Sequence, residues 1–215
     1  SFVVLFQLIF LFYSDQLFGR VLNEIVFQSS KGIYSVEYEK VRFNVFRNEI
    51  EFSDFNLKSD STKFFELKEQ NEGSNRLLDF SSPHISIQGP SLFKLYFDKV
   101  LTINEFDVED PILKTRIYGE VRKGQVGLRN FHEVLSNYIS FLKIESFNIS
   151  NGTLSVCNIK PDSRKAVVVN EIGSQVDGFV LNKDTKKDST LALKNLSIYL
   201  GNNELKIGSL NSIIF

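Results

Sequence analysis

The chain has no methionine, no tryptophan, one cysteine and two histidines. A single thiol cannot close an internal disulfide, so a small cross-linked fold is excluded and cysteine usage leaves the compartment open. Cys157, between Val156 and Asn158, reads as a small core residue. His84 and His132 stand far apart with no convergent third ligand, which is poor metal-site spacing. His132, between Phe131 and Glu133, reads as a boundary residue of a helix. No Gly-rich phosphate loop, nucleophile elbow or Cys-x-x-Cys pair occurs. Charge of one sign is lacking as well, with 25 Lys and Arg against 26 Asp and Glu. No strong field therefore recruits nucleic acid. Asp107, Glu109 and Asp110 cluster beside Pro111, the composition of a solvated turn. Lys183, Lys186 and Lys187 are cancelled by Asp184 and Asp188. The expectation is a protein that is not an enzyme, with no catalytic residue, no metal and no cofactor. Three Asn-x-Ser/Thr acceptor patterns begin at Asn148, Asn151 and Asn195 and matter only in a eukaryotic secretory compartment.

What the chain does have is phenylalanine, 21 of 215 residues, and a repeat. Leu101–Leu113 (LTINEFDVEDPIL) returns without a gap as Leu142–Leu154 (LKIESFNISNGTL), 41 residues later. Ile103 matches Ile144, Phe106 matches Phe147, Val108 matches Ile149, and Leu113 matches Leu154. Weaker echoes are Phe52-x-x-Phe55-x-Leu57 and Leu193-x-x-Leu196-x-Ile198. In each copy two polar residues interrupt strict apolar alternation once, as a β-bulge does, and a turn follows at Glu109-Asp110-Pro111 or Ser150-Asn151-Gly152. Self-similarity at a fixed period predicts repeated β modules laid side by side.

The amino-terminal run is apolar around Gln7: Phe2, Val3, Val4, Leu5, Phe6, Leu8, Ile9, Phe10, Leu11 and Phe12. It is shorter than the roughly 20 residues that cross a bilayer. The chain starts at Ser1 without a methionine and ends in an apolar run, so it is expected to be a piece of a longer protein. On that expectation the run is a truncated signal-anchor helix, with Tyr13, Asp15 and Arg20 at the membrane border. A helix continues over 15–30, with Leu17, Phe18, Val21, Leu22, Ile25 and Val26 on one face, and Lys31-Gly32 ends it. Residues 1–31 are thus an anchor and stalk, and 32–215 a β domain.

Within that domain, Tyr34, Val36 and Tyr38 alternate, then Val41, Phe43 and Val45 on the shifted phase. Arg47-Asn48 turns, and Ile50, Phe52, Phe55 and Leu57 return. Residues 59–75 read as a surface loop or short helix. A strand over 77–88 carries Phe80, Ile85 and Ile87, and its Pro83 implies an edge or a bulge. A short helix over 90–100, with Ser91 as its cap, precedes the first repeat strand. Ile112–Tyr118 is expected to fold back as that strand's hairpin partner. After a Gly-rich connector over 120–127, a second short helix over 128–139 precedes the second repeat strand. Further strands are expected over 166–170, 175–181, 190–200 and 204–214, with turns at 182–189 and 201–203. The fold class is mainly β: a curved antiparallel sheet of repeated modules with short connecting helices. Its apolar face must be covered by something. A second layer would make a sandwich. A sheet curled into a trough would leave the face free for acyl chains.

The order of elements resembles the amino-terminal region of AsmA-like proteins, relatives of TamB and of chorein-type bridge proteins. The residues that carry it are the apolar helix running into Leu17–Phe27 and the opening hairpin from Gly32 through Ile33-Tyr34-Ser35-Val36 to Asn56-Leu57. Ser91–Pro111, a short helix, strand and Pro turn, carries it too, and Ile144–Leu154 repeats that element with Asn151-Gly152-Thr153-Leu154. The polar insert over 59–75 departs from the family pattern. The resemblance implies a bacterial inner-membrane protein with a single span and its β domain in the periplasm. It also implies a repeating β-groove that carries phospholipid between membranes, with bound phospholipid and no reaction. Candidate groove positions in the first half are Val36, Phe43, Val45, Ile50, Phe52, Phe55, Leu57, Ile85 and Ile87. Those in the second half are Ile103, Phe106, Val108, Ile144, Phe147, Ile149, Leu193, Leu196 and Ile198. Expected partners are membrane lipid and other envelope proteins at the sheet edges, with no nucleic acid. The alternative is an anchored β scaffold that binds a protein partner and conducts no lipid.

Overall fold

The structure, a computed structural model, describes residues 19, 22–24, 26–44, 46–70, 75–119, 139–160, 163–183, 189–207 and 210–214. The strands are β1 (Tyr34–Glu37), β2 (Lys40–Asn44), β3 (Glu49–Ser59), β4 (Arg76–Gln88), β5 (Val100–Glu109), β6 (Ile112–Tyr118), β7 (Phe141–Lys160) and β8 (Ser163–Lys183). They continue with β9 (Ser189–Leu193), β10 (Asn195–Leu200), β11 (Asn203–Ile207) and β12 (Leu210–Ile214). Two helices are interposed, α1 (Ser61–Glu69) and α2 (Leu92–Asp98). All the strands join one 12-stranded sheet. The protein is mainly β, as its alternating patterns require.

The sheet is mixed, which corrects the expectation of a purely antiparallel one. The 41-residue repeat is the reason: β5 pairs with β7 in parallel, Ile103 beside Ile144, Phe106 beside Phe147 and Val108 beside Ile149. Ile112–Tyr118 is not a hairpin partner. It runs on as β6 along the same neighbour, Leu113 beside Leu154. The chain does not reverse at Asp110-Pro111 because both flanking groups stay bonded to β7. The Asp110 amide donates to the Ser150 carbonyl at 3.0 Å, and the Pro111 carbonyl accepts from the Thr153 amide at 2.7 Å. Pro111, which has no amide hydrogen, thus sits where the ladder does not need one.

The same break crosses the whole sheet. Asp54, Asp110, Asn151 and Glu171 hold left-handed φ values of 51, 45, 53 and 57°. Asp54 faces the gap between β1 and β2 at Tyr38-Glu39 on one side and Ser82-Pro83 on the other. Pro83 therefore sits at this break in an interior strand and not at a sheet edge. Each such residue kinks its strand, so the line is a crease dividing the sheet into an upper and a lower half. A second line lies where the repeat breaks alternation: the ladders step over Asn104, Glu145 and Gly178, and Lys194 separates β9 from β10 beside it. The expected strands over 166–170 and 175–181 are in fact one strand, β8, kinked at Glu171.

Residues 22–24 and 26–29 are helical. The turn ends as the sequence suggests, with Lys31 at φ 54°, Gly32 at φ 80° and the Gly32 amide donating to the Phe27 carbonyl at 2.8 Å. Leu22 packs on the core, and Asn23 Oδ1 accepts from the Val36 amide at 2.9 Å. Gly19 lies against Tyr38, whose hydroxyl occupies the place of any Cβ there. The 59–75 stretch resolves in favour of a helix, since α1 buries Phe64 and Leu67. Ser91 does not cap α2 with its side chain; its Oγ instead accepts from the Thr102 amide at 2.8 Å, tying the helix start to β5. The expected anchor at Phe2–Tyr13 lies outside the described residues, as do the helix expected over 128–139 except Ile139 and the turn expected over 182–189 except its ends, which belong to β8 and β9. Among the described residues no helix is long and apolar enough to cross a membrane.

Candidate functional site

Strict alternation in the upper half sorts the residues onto two faces. On one face a row passes through Phe43, Ile50, Ile87, Phe106, Phe147, Val176 and Leu196, each beside the next. A second row on that face runs Val41, Phe52, Ile85, Val108, Ile149, Ser174, Ile198 and Leu205. Below the crease a third joins Val36, Leu57, Phe80, Leu113, Leu154 and Val169. On the opposite face the row between the first two is polar: Arg42, Glu51, Ser86, Asp107, Asn148, Gln175 and Ser197. At about 4.8 Å per strand the apolar rows run for up to roughly 34 Å.

Most of the expected groove positions therefore share one surface. Phe43, Ile50, Phe52, Phe55, Ile85, Ile87, Phe106, Val108, Phe147 and Ile149 form one cluster. Edge-to-face rings link Tyr38, Phe52, Phe55 and Phe80 across the crease, and Phe106 stacks on Phe147 at 5.3 Å. Leu196 and Ile198 extend the rows, while Val36 and Leu57 lie in the lower one. Ile103 and Ile144 sit beyond the second break and pair with each other and with Phe179. Leu193 pairs with Leu210. Val45 lies outside the described residues.

Burial divides the candidates. Val36, Ile50, Phe52, Ile85, Ile103 and Val108 are core, at 7, 3, 3, 5, 6 and 4 % exposure. On the same face Phe43, Ile87, Phe106, Phe147, Ile149, Val176, Leu196 and Ile198 are half-buried, and Leu205 is 59 % exposed. The fully buried members of the rows lie on β1 to β5. Sequence reasoning passed over Val176, Leu113 and Leu154. The last two stood in the repeat itself, and Val176 shows in the alternation of 175–181.

The lower half also carries a polar network. Asp79 accepts from the Ser59 amide at 2.9 Å, from the Ser59 hydroxyl at 2.5 Å and from Arg116 at 2.6 Å. Partial burial would raise the Asp79 pKa, but the Ser59 bonds and the Arg116 charge outweigh it and hold the carboxyl below its ordinary value. Burial raises the nearby Tyr34 hydroxyl, which accepts from the Leu78 amide. Residues 59, 79 and 116 gave no local signal, because only the β3–β4–β6 register unites them.

No arrangement for general acid–base or nucleophilic chemistry converges among these groups. His84 stands in the β3–β4–β5 ladder beside Ser53 and Glu109. Among the described residues no group of His, Cys, Asp and Glu is placed to hold a metal ion. Asp107 and Asp110 are engaged by their repeat mates, accepting from Asn148 at 2.7 Å and Asn151 at 2.5 Å. The site's resource is its surface. No protein-family model matches the chain, and a search of curated proteins finds no significant match.

Proposed function

We propose that this protein is an AsmA-like envelope protein that holds phospholipid acyl chains on the apolar face of its sheet and passes them along the strand-to-strand rows. In this reading an amino-terminal anchor sits in a bacterial inner membrane and the sheet stands in the periplasm. The carrying observation is the unbroken apolar row from Phe43 to Leu196 opposite an unbroken polar one, half-buried from β7 through β10. Leaving such a surface in water costs about 25 cal/mol per Å², and a hydrocarbon chain lying along it removes that cost. Headgroups would remain at the solvent margin.

Native mass spectrometry of the purified full chain, with lipid extraction, tests this. Co-purified phospholipid is expected. Phe147→Asp, and separately Phe106→Asp, should lose most of it while far-UV circular dichroism keeps the β signal. Absence of lipid from the wild type, with a stoichiometric protein partner in its place, would support the scaffold instead.

A further inference from the structure

We propose that the lower half of β8, residues 163–170, is a docking edge for an extended acidic segment of a partner protein, which adds to the sheet as one further antiparallel strand. The sheet runs past β8 only above the crease. There β10 pairs with residues 172–177 and β9 with 180–183. The Gly201 amide closes that ladder on the Glu171 carbonyl at 3.1 Å, and the chain then turns back into β11. Below Glu171 the inner side of β8 is laddered to β7, and among the described residues no strand pairs with its outer side.

The stretch is exposed from Arg164 to Val168. Val167 and Val168 point to opposite faces of a strand, yet they are 62 and 57 % exposed. The first edge of the sheet is built differently: the Tyr34 and Val36 amides of β1 donate to Ser30 Oγ and Asn23 Oδ1, both at 2.9 Å, so side chains occupy that edge. An edge that is apolar and free of proline is a template for another strand, whose main-chain hydrogen bonds supply the affinity. At about 3.3 Å per residue the slot is roughly 26 Å long, and the Gly201 turn stops an incoming strand at one end.

Charge selects the occupant. β6 and the adjoining stretches 153–160 and 163–170 hold Lys114, Arg116, Lys160, Arg164 and Lys165 and no Asp or Glu, in a chain of balanced charge. Of these, Arg116 is neutralised by Asp79. Arg164 Nε donates to Cys157 Sγ at 3.2 Å, a contact that does not cancel its charge. A second copy of this stretch would bring the same cations and no anion, whereas a strand with carboxylates is attracted and held in register. β8 is antiparallel to β7, β9 and β10, and antiparallel ladders are the more stable. An incoming strand of that direction places its carboxyl-terminal residues beside Arg164 and Lys165, so the acidic residues belong at that end.

Fluorescence anisotropy tests the proposal with the purified full chain and a labelled synthetic peptide, Thr-Val-Thr-Val-Thr-Val-Glu-Glu. Saturable binding that weakens with salt is expected. Arg164→Glu with Lys165→Glu should weaken it roughly fivefold or more, and the same variant should bind a peptide ending in two lysines better than the wild type does. The acidic peptide N-methylated along its backbone keeps its charge and cannot pair, so it should not bind. No saturable binding to the wild type would overturn the proposal. Equal binding of the N-methylated peptide would do so too, since it would reduce the edge to a patch of charge. Phosphatidylglycerol vesicles that bind the wild type and not the charge-reversed variant, while the peptide binds neither, would assign the patch to a lipid surface instead.

Discussion

Gly152 shows how tightly the crease is built. A Cβ there would lie 3.1 Å from the Ile172 carbonyl oxygen and 3.3 Å from both the Ile149 Cγ2 and the Pro111 ring. The first of these is backbone and cannot swing aside. Gly152→Ala should therefore cost on the order of 1–2 kcal/mol, as overpacking does, read as a lowered urea midpoint with unchanged slope. Asp79 gives the pH dependence. Its folded pKa is depressed, so its contribution is full above the unfolded value and is lost as pH falls through the folded one. Asp79→Asn should remove about 1 kcal/mol near neutrality, since the pair is partly solvated. The variant should also flatten the acid limb of stability against pH; an unchanged limb would show that the network with Ser59 and Arg116 contributes nothing.

At the scale of elements, α1 is a short helix held at both ends of its logic. Asp60 accepts from the Lys63 amide at 3.0 Å as an N-cap, and Phe64, at 1 % exposure, is the anchor. Phe64 and Phe65 meet Tyr118 from β6 at 5.4 and 5.0 Å. Asp60→Ala should cost about 1 kcal/mol, and its thermal midpoint should fall accordingly. The long strands follow a different rule. Where β5 and β7 lie parallel, the repeat places each side chain beside its own counterpart, Phe106 on Phe147 and Asp107 on Asn148. An exact repeat would have put Asp beside Asp there. The Asp-to-Asn exchange at both matched positions, 107/148 and 110/151, turns a like-charge contact into a hydrogen bond.

For the whole molecule, the proposed acyl surface and the Ser59–Asp79–Arg116 network are separate. The first is a face of the upper sheet, the second lies below the crease. Phe147→Asp should therefore lose lipid and keep the acid limb of stability against pH, while Asp79→Asn should flatten that limb and keep lipid. The crease sets this division. A strand running straight through it would have allowed β10 to cover 163–170. The left-handed Glu171 and the Gly201 turn end that ladder, at φ 57 and 55°.

The sequence by itself determined the β class, the repeat, the turns at which strands break and much of the apolar face, because side-chain alternation and turn chemistry are local properties of the chain. It also determined the helix stop at Lys31-Gly32. Only the tertiary structure decided that the repeats lie parallel, that Ile112–Tyr118 runs on instead of folding back, and that the individual breaks align into one crease. It alone joined Ser59, Asp79 and Arg116, and made Ile50, Phe52 and Val108 core while Phe147 and Leu196 stay half-open. Pairing direction and burial depend on which distant strand lies alongside, and a period-2 pattern is the same for a parallel neighbour, an antiparallel one or none.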